Sequence, residues 1–254
     1  MCMVIPTVSK MSVSIGRDRH MKLCRLVLFI AFFSLLGCSL DGDDAPELSL
    51  VSADFDFNDG IQGWTAGFAD YPANSDDSAA FELKFKYTEG VNSKLGRRSL
   101  MLSGKNINRD LFMYIKRKVE NLQPNTDYTI TFNVELASDL QSVQISSGGS
   151  VFLKAGATSR EPKSVIDDGK YVLNIDKGDE DFAGEDMVTL GDLFANATGS
   201  NYTLITRSNT ISQTRYVART NANGELWLII GADSTVEGTT KIFFTRIKVL
   251  LSVS

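Results

Sequence analysis

Past Cys38 this 254-residue chain holds neither a cysteine nor a histidine. Cys2, Cys24 and Cys38 are its three cysteines, and His20 is its one histidine. Without thiol or imidazole, residues 39–254 cannot carry a disulfide, a Ser-His-Asp or Cys-His nucleophile, or a zinc site of nitrogen and sulfur ligands. A metal there must take oxygen ligands, which points to Ca²⁺. Enzyme chemistry must rest on Asp, Glu, Tyr, Lys, Arg or Ser. Positive charge is also scarce. Five of the 26 basic residues and one of the 31 acidic ones lie at or before Cys38, leaving 21 against 30 and a net charge of −9. That balance argues against nucleic acid and against an anionic membrane surface as partners. The chain shows no internal repeat and no amphipathic helical stripe of useful length.

The longest apolar run, Leu26 to Leu36, follows Met21-Lys22-Leu23-Cys24-Arg25 and ends in Leu35-Leu36-Gly37-Cys38. A short basic segment, an apolar stretch too short to span a bilayer and a small residue before a cysteine make a lipoprotein signal peptide over 21–37. A buried core helix would show polar residues at helical spacing, whereas Leu26 to Phe33 is apolar all round. Cys38 is then the lipidated, acylated N-terminus of the mature protein, since two or more acyl chains anchor stably where one is marginal. Residues 1–20 have no place in a signal peptide and read as a mis-called start. The expected location is a bacterial cell envelope. Ser39 after the cysteine, and Asp41-Gly42-Asp43-Asp44, resemble sorting tracts of outer-membrane and cell-surface lipoproteins. Residues 38–50 suit an acidic tether, and 51–254 one domain.

From Val51 the hydrophobic period is two. Phe81-Glu82-Leu83-Lys84-Phe85-Lys86-Tyr87 alternates strictly, and Tyr128 to Leu136 repeats the pattern over a longer stretch. Further strands are expected at Leu111 to Val119, Val151 to Lys154, Tyr171 to Ile175, Thr214 to Ala218, Leu226 to Ile230 and Lys241 to Leu251. Turn clusters such as Gln123-Pro124-Asn125-Thr126 and Ser146-Ser147-Gly148-Gly149 separate them. Leu226 to Ile230 is apolar on both faces, as in a central strand covered on each side. Many short strands without helices predict an all-β jelly-roll sandwich of two antiparallel sheets.

Two segments sharpen this. Phe55-Asp56-Phe57-Asn58-Asp59-Gly60-Ile61-Gln62-Gly63-Trp64 resembles the first strand and turn of carbohydrate-binding-module jelly rolls, of the galactose-binding-domain-like kind. Leu122 to Phe132 resembles a turn-and-strand element of the same superfamily, with Pro124 and Asn125 setting the turn and Tyr128, Ile130 and Phe132 entering the core. With Asp110 to Tyr114, Gly149 to Gly156 and Gly224 to Ser234, they resemble a family of secreted bacterial lipoproteins over most of 54–251. The resemblance implies the fold more than the function, because such sandwiches bind sugars, pack on catalytic domains or scaffold. It also implies a structural Ca²⁺ near the first and last strands, with Asp56, Asn58 and Asp59 as oxygen ligands. Against it, Arg246 stands where many relatives carry an aspartate, and Asn58-Asp59-Gly60 is also an ordinary turn. The acidic stretch from Asp176 to Asp186 lacks EF-hand spacing and reads as a solvated loop.

Alternation in Leu111 to Val119 sets Phe112, Tyr114, Lys116 and Lys118 on one face. That face is aromatic and basic, suited to stacking a sugar ring and favouring acidic polysaccharides. Trp64, Phe68 and Tyr71, beside Asp70 in a Gly-rich loop, are expected to extend it. The competing expectation is that a loop or second sheet covers Phe112 and Tyr114. Trp227 is expected in the core. Glu135 and Glu225 belong to no glycosidase motif, though paired carboxylates would suffice for one. The leading function is therefore binding of a carbohydrate polymer at the end of a membrane lipid anchor. The alternatives are a structural or adhesion component, and a carboxylate-only lyase or hydrolase.

Overall fold

When apolar and polar side chains alternate along an extended segment, one face can be buried and the other left in water. The protein is built almost wholly from such segments. The computed structural model describes residues 50–89, 96–140, 149–195, 202–210 and 215–254. The segments expected to be leader, lipidated Cys38 and tether, as far as residue 49, the expected turn at 146–148 and Thr214 lie outside the described residues. Among the described residues, fifteen strands form three antiparallel sheets.

The largest sheet is organised on β15 (Gly238–Val253), which pairs along one edge with β7 (Asp127–Ser138). Its other edge pairs first with β5 (Arg98–Asn106) and then with β1 (Leu50–Asp56). β4 (Lys84–Glu89) flanks β5, while β12 (Thr203–Ser208) and β13 (Val217–Arg219) flank β7. The second sheet has β14 (Leu226–Ser234) between β6 (Leu111–Val119) and β8 (Val151–Thr158). β2 (Thr65–Ala69) lies beyond β6 and β11 (Met187–Asp192) beyond β8. These two sheets make the expected jelly-roll sandwich.

Between them lies the core. The seven-stranded sheet contributes Leu100, Leu102, Ile130, Phe132, Val134, Leu136, Ile242, Phe244, Ile247, Val249 and Leu251; the five-stranded sheet contributes Leu111, Met113, Ile115, Leu153, Leu226, Leu228 and Ile230. Each such side chain is worth about 1.5–3 kcal/mol when fully buried. Tyr128, Ile130 and Phe132 enter the core as expected, and the Tyr128 hydroxyl accepts from the Gln123 amide at 3.0 Å, tying the Pro124 turn to the strand. Where β15 passes Thr245 the register with β7 slips by one residue. The Thr245 hydroxyl there donates to the Glu135 carboxylate at 2.8 Å.

Three features depart from the sequence expectation. Phe81 to Leu83 is not strand: Glu82 takes a φ of 47°, following a short helix, α1 (Ser75–Ala79), so β4 starts at Lys84. Arg117 occupies the inward face of β6, where its guanidinium covers the Phe55 ring at 4.4 Å and donates to the Gln62 carbonyl at the core's edge. The third departure is a small sheet of β10 (Lys170–Leu173) between β3 (Tyr71–Pro72) and β9 (Ser164–Asp167).

Candidate functional site

The outer face of the five-stranded sheet gathers most of the residues expected to bind ligand. The cross-strand register of β6 with β14 lays out Phe112 beside Asp233, Tyr114 beside Gly231, Lys116 beside Ile229 and Lys118 beside Trp227. One end of this face is roofed and the other is open.

Under the roof, Phe112 and Tyr114 lie nearly parallel, with centroids 5.7 Å apart. Their rings lie down over glycines in the neighbouring strands: a Cβ at Gly231 would strike Phe112, and one at Gly67 would strike Tyr114. Ala69, Ile175, Met187 and Ile229 complete a second, smaller apolar cluster with them. The Tyr114 hydroxyl lies 3.3 Å from that of Ser164 in β9, and Lys177 stands 5.3 Å above the Phe112 ring. The expectation of an open aromatic platform is thus corrected: with 0% and 1% of their area exposed, Phe112 and Tyr114 offer no face to a sugar.

The roof is held by buried ions. Lys154, fully buried, donates to the carbonyls of Lys177 and Phe182 at 2.9 Å each and lies 3.6 Å from Asp233. Lys177 bridges Asp233 at 2.8 Å and Asp70 at 3.2 Å. Burial lowers the Lys154 pKa. For Lys177 burial acts the same way, but Asp233 and Asp70 outweigh it and raise the value. Asp70 is pushed up to about 6 by burial, which outweighs the pull of Lys177. Removing a partner from such a cluster strands a charge away from water and costs roughly 3–5 kcal/mol.

The acidic stretch above it folds back on itself rather than standing free. Asp176 accepts from the backbone amides of Gly178 and Glu185 at 2.9 and 2.8 Å, which hold its pKa below the usual carboxylate range, the Glu185 amide most strongly. Asp179, Glu180 and Asp181 remain exposed.

At the open end the aromatic group is Trp227, expected in the core but placed by its register on the outer face and partly exposed. Charged groups around it are held in pairs. Lys116 lies 5.5 Å from the indole centroid and donates to Glu161 at 2.6 Å and to the Pro162 carbonyl at 2.7 Å. Lys118 bridges Glu120 at 2.6 Å and Glu225 at 2.9 Å, which lift its pKa to about 12. Glu225 also accepts from Asn221 at 2.9 Å, and that bond followed by Lys118 lowers its pKa. Lys116, by its hydrogen bond, likewise lowers that of Glu161. Glu161, Lys118 and Glu225 are therefore held in their charged forms, each tied to a partner of opposite charge.

The remaining candidates disperse. Trp64 is buried against Phe55 and Phe57, and Phe68 packs on the inner core, so neither joins the platform. Tyr71 stacks on Tyr171 in the small sheet at 4.9 Å. Asp56 caps a short 3-10 turn, its carboxylate accepting from the amide and side chain of Asn58 at 2.9 and 2.8 Å. The Asn58 side-chain oxygen accepts in turn from Arg98, and Arg246 stands across the ladder from Asp56 while forking onto Asp54 at 2.8 and 2.6 Å. At the expected Ca²⁺ ligands Asp56, Asn58 and Asp59, one Asp56 carboxylate oxygen and the Asn58 side-chain oxygen are already engaged and the Arg246 guanidinium lies across the ladder, which disfavours a cation there. Among the described residues no three Asp, Glu, His or Cys side chains gather as a metal would require. Glu135 is tied to Arg97 and Thr245, so it does not pair with a second acid in a cleft.

No family model matches the chain, and no curated protein matches it in sequence. Solved structures similar to it include a mannan-recognising carbohydrate-binding module, TmCBM27, at 15% identity and a TM-score of 0.40, covering 80% of this chain and 98% of that one. The xylan-binding CBM22-1 domain of Paenibacillus barcinonensis Xyn10C is 14% identical at a TM-score of 0.37, covering 82% and 97%. The cleaved adhesin domain of Lys-gingipain from Porphyromonas gingivalis is 9% identical at 0.35, covering 80% and 99%. At these scores the likenesses carry no functional weight.

Proposed function

We propose that the protein is a lipid-anchored component of a bacterial cell envelope, at the outer membrane or cell surface, whose sandwich binds a polysaccharide at the open end of the five-stranded sheet. The observation that carries the binding reading is the Trp227 indole, partly exposed and ringed by Lys116, Lys118, Glu161 and Glu225 in fixed positions. A pyranose stacks its C–H face on a flat π surface, and donors and acceptors at the rim take its hydroxyls. Because the rim is already ordered, little entropy is lost on binding. Each lysine has a carboxylate partner, so the site suits the hydroxyls of a sugar and not a net negative charge. Anchoring rests on the motif ending in Gly37-Cys38.

Screening purified Cys38→Ser protein against a glycan panel tests the binding reading. Trp227→Ala should lose roughly thirtyfold or more in affinity, the size of an interface hot spot, with its melting curve preserved. No affinity for any glycan would overturn it. In cells, Cys38→Ser should leave the membrane fraction and take up no palmitate; continued membrane association would overturn the anchor. The adhesion reading is favoured by one observation: Ile166 and Phe182, in the elements that roof Phe112 and Tyr114, are 64% and 72% exposed.

A further inference from the structure

The outer face of the seven-stranded sheet carries a different kind of charge. Its register sets Lys84 beside Ser103 and Ser103 beside Lys241, with Lys86 in the next row and Lys105 beside Thr239. Rows across strands step by about 5 Å and same-face residues along a strand by about 7 Å, so four lysines share a patch roughly 15 Å across. Lys84, Lys86 and Lys105 are exposed and Lys241 partly so. Lys84 has Glu82 at 3.9 Å, both more than half exposed, a weak pairing. Among the described residues no carboxylate pairs with Lys86, Lys105 or Lys241. A depression of about 250 Å³ opens between Lys84 and Lys241, lined also by Glu82, Met101, Ser103 and Thr239. On a chain with a net charge of −5, this is a local basic concavity with hydroxyls in it.

We propose that this face is a second binding surface, for an anionic polysaccharide, whose acidic groups pair with the four ammonium groups while the exposed Thr239 meets its hydroxyls. Charge complementarity selects the partner, since the ammonium groups at the Trp227 end are already paired with carboxylates, whereas here only Lys84 has one near it, weakly. The patch also lies away from the point where the chain enters the sheet. Leu50 pairs with Ser252, eleven positions along β15 from Lys241, or roughly 35 Å of strand. On the anchored reading this favours a soluble polymer over lipid headgroups, whose field decays within about 8 Å at physiological salt.

The test uses full-chain Cys38→Ser protein with polygalacturonate, dextran sulfate, neutral dextran and phosphatidylglycerol vesicles as probes. One or both polyanions should bind, more weakly as salt rises, and neutral dextran should not. Replacing Lys84, Lys86, Lys105 and Lys241 together by Gln should cost roughly tenfold or more, four exposed charge pairs acting together. Trp227→Ala should keep this binding, which separates the two surfaces. Should the fourfold variant melt early, Lys86→Gln with Lys105→Gln, both exposed, should still cost several-fold. Failure of both polyanions to bind, binding unchanged in the lysine variants, or binding to vesicles alone would overturn the proposal.

Discussion

Phe112 and Tyr114 open β6, Lys116 and Lys118 close it, and all four project from the same face of one strand. The first pair is sealed; of the second, Lys118 meets water while Lys116 is largely covered, its ammonium held by Glu161 and the Pro162 carbonyl. What separates them is a cover made elsewhere in the chain: β9, β10 and the loop through Lys177 lie over one end and stop short of the other. Under the cover, ions must satisfy one another, and Lys154, Lys177, Asp70 and Asp233 do so in a single cluster. Beyond it the same residue types form a partly exposed rim beside an indole. On the proposed function, stability is concentrated in the first region and binding in the second.

The largest effects should come from the sealed end. Phe112→Ala or Tyr114→Ala should lose about 3–5 kcal/mol in denaturant unfolding, the cost of emptying a buried aromatic site. Trp227→Ala, at the open end, should stay within roughly 1 kcal/mol. Equal costs at both ends would break the comparison.

A smaller effect follows from Asp70. With its pKa raised to about 6, the folded protein keeps a proton that the unfolded chain releases near pH 4. Asp70 then contributes stability that is fully present below about pH 4 and lost as pH rises through 6, up to about 3 kcal/mol. Asp54, Asp176, Glu161 and Glu225, whose values are lowered, act in the opposite direction. Comparing wild type with Asp70→Asn cancels them, and the stability difference should shift against wild type between pH 4 and 7. A difference that does not change with pH would place Asp70 in water and the roof open.

The smallest effect belongs to the rim. Glu225→Gln should leave the melting temperature nearly unchanged and weaken glycan binding about threefold to tenfold, one polar contact's worth. A large loss of stability would make this end structural as well.

Period-two alternation made the strands legible, and β6 has the bounds its pattern gives. It identified which residues share a face. It could not say whether that face is covered, because cover depends on a segment some fifty residues away in sequence. One signal of the cover was present: Asp168-Gly169, between two apolar runs, has the composition of a tight hairpin turn, and both residues take positive φ. Gly67 and Gly231 were a second, being the gaps into which the rings of Tyr114 and Phe112 lie. Trp227 was misjudged because its neighbours Leu226 and Leu228 are core. In a strand such neighbours face the opposite way. The lysines of β4, β5 and β15 are invisible as a group until register brings β15, distant in sequence, alongside the other two.

The central claim is that the open end binds glycan and the sealed end does not. The chain has two tryptophans, Trp64 in the core and Trp227 at the open end, so two indole N–H signals report on the two environments. In an NMR titration with a glycan selected from the panel, the Trp227 signal should move to saturation while that of Trp64 stays in place. Movement of Trp64 with Trp227 silent, or no movement of either at saturating glycan, would contradict the assignment of the site.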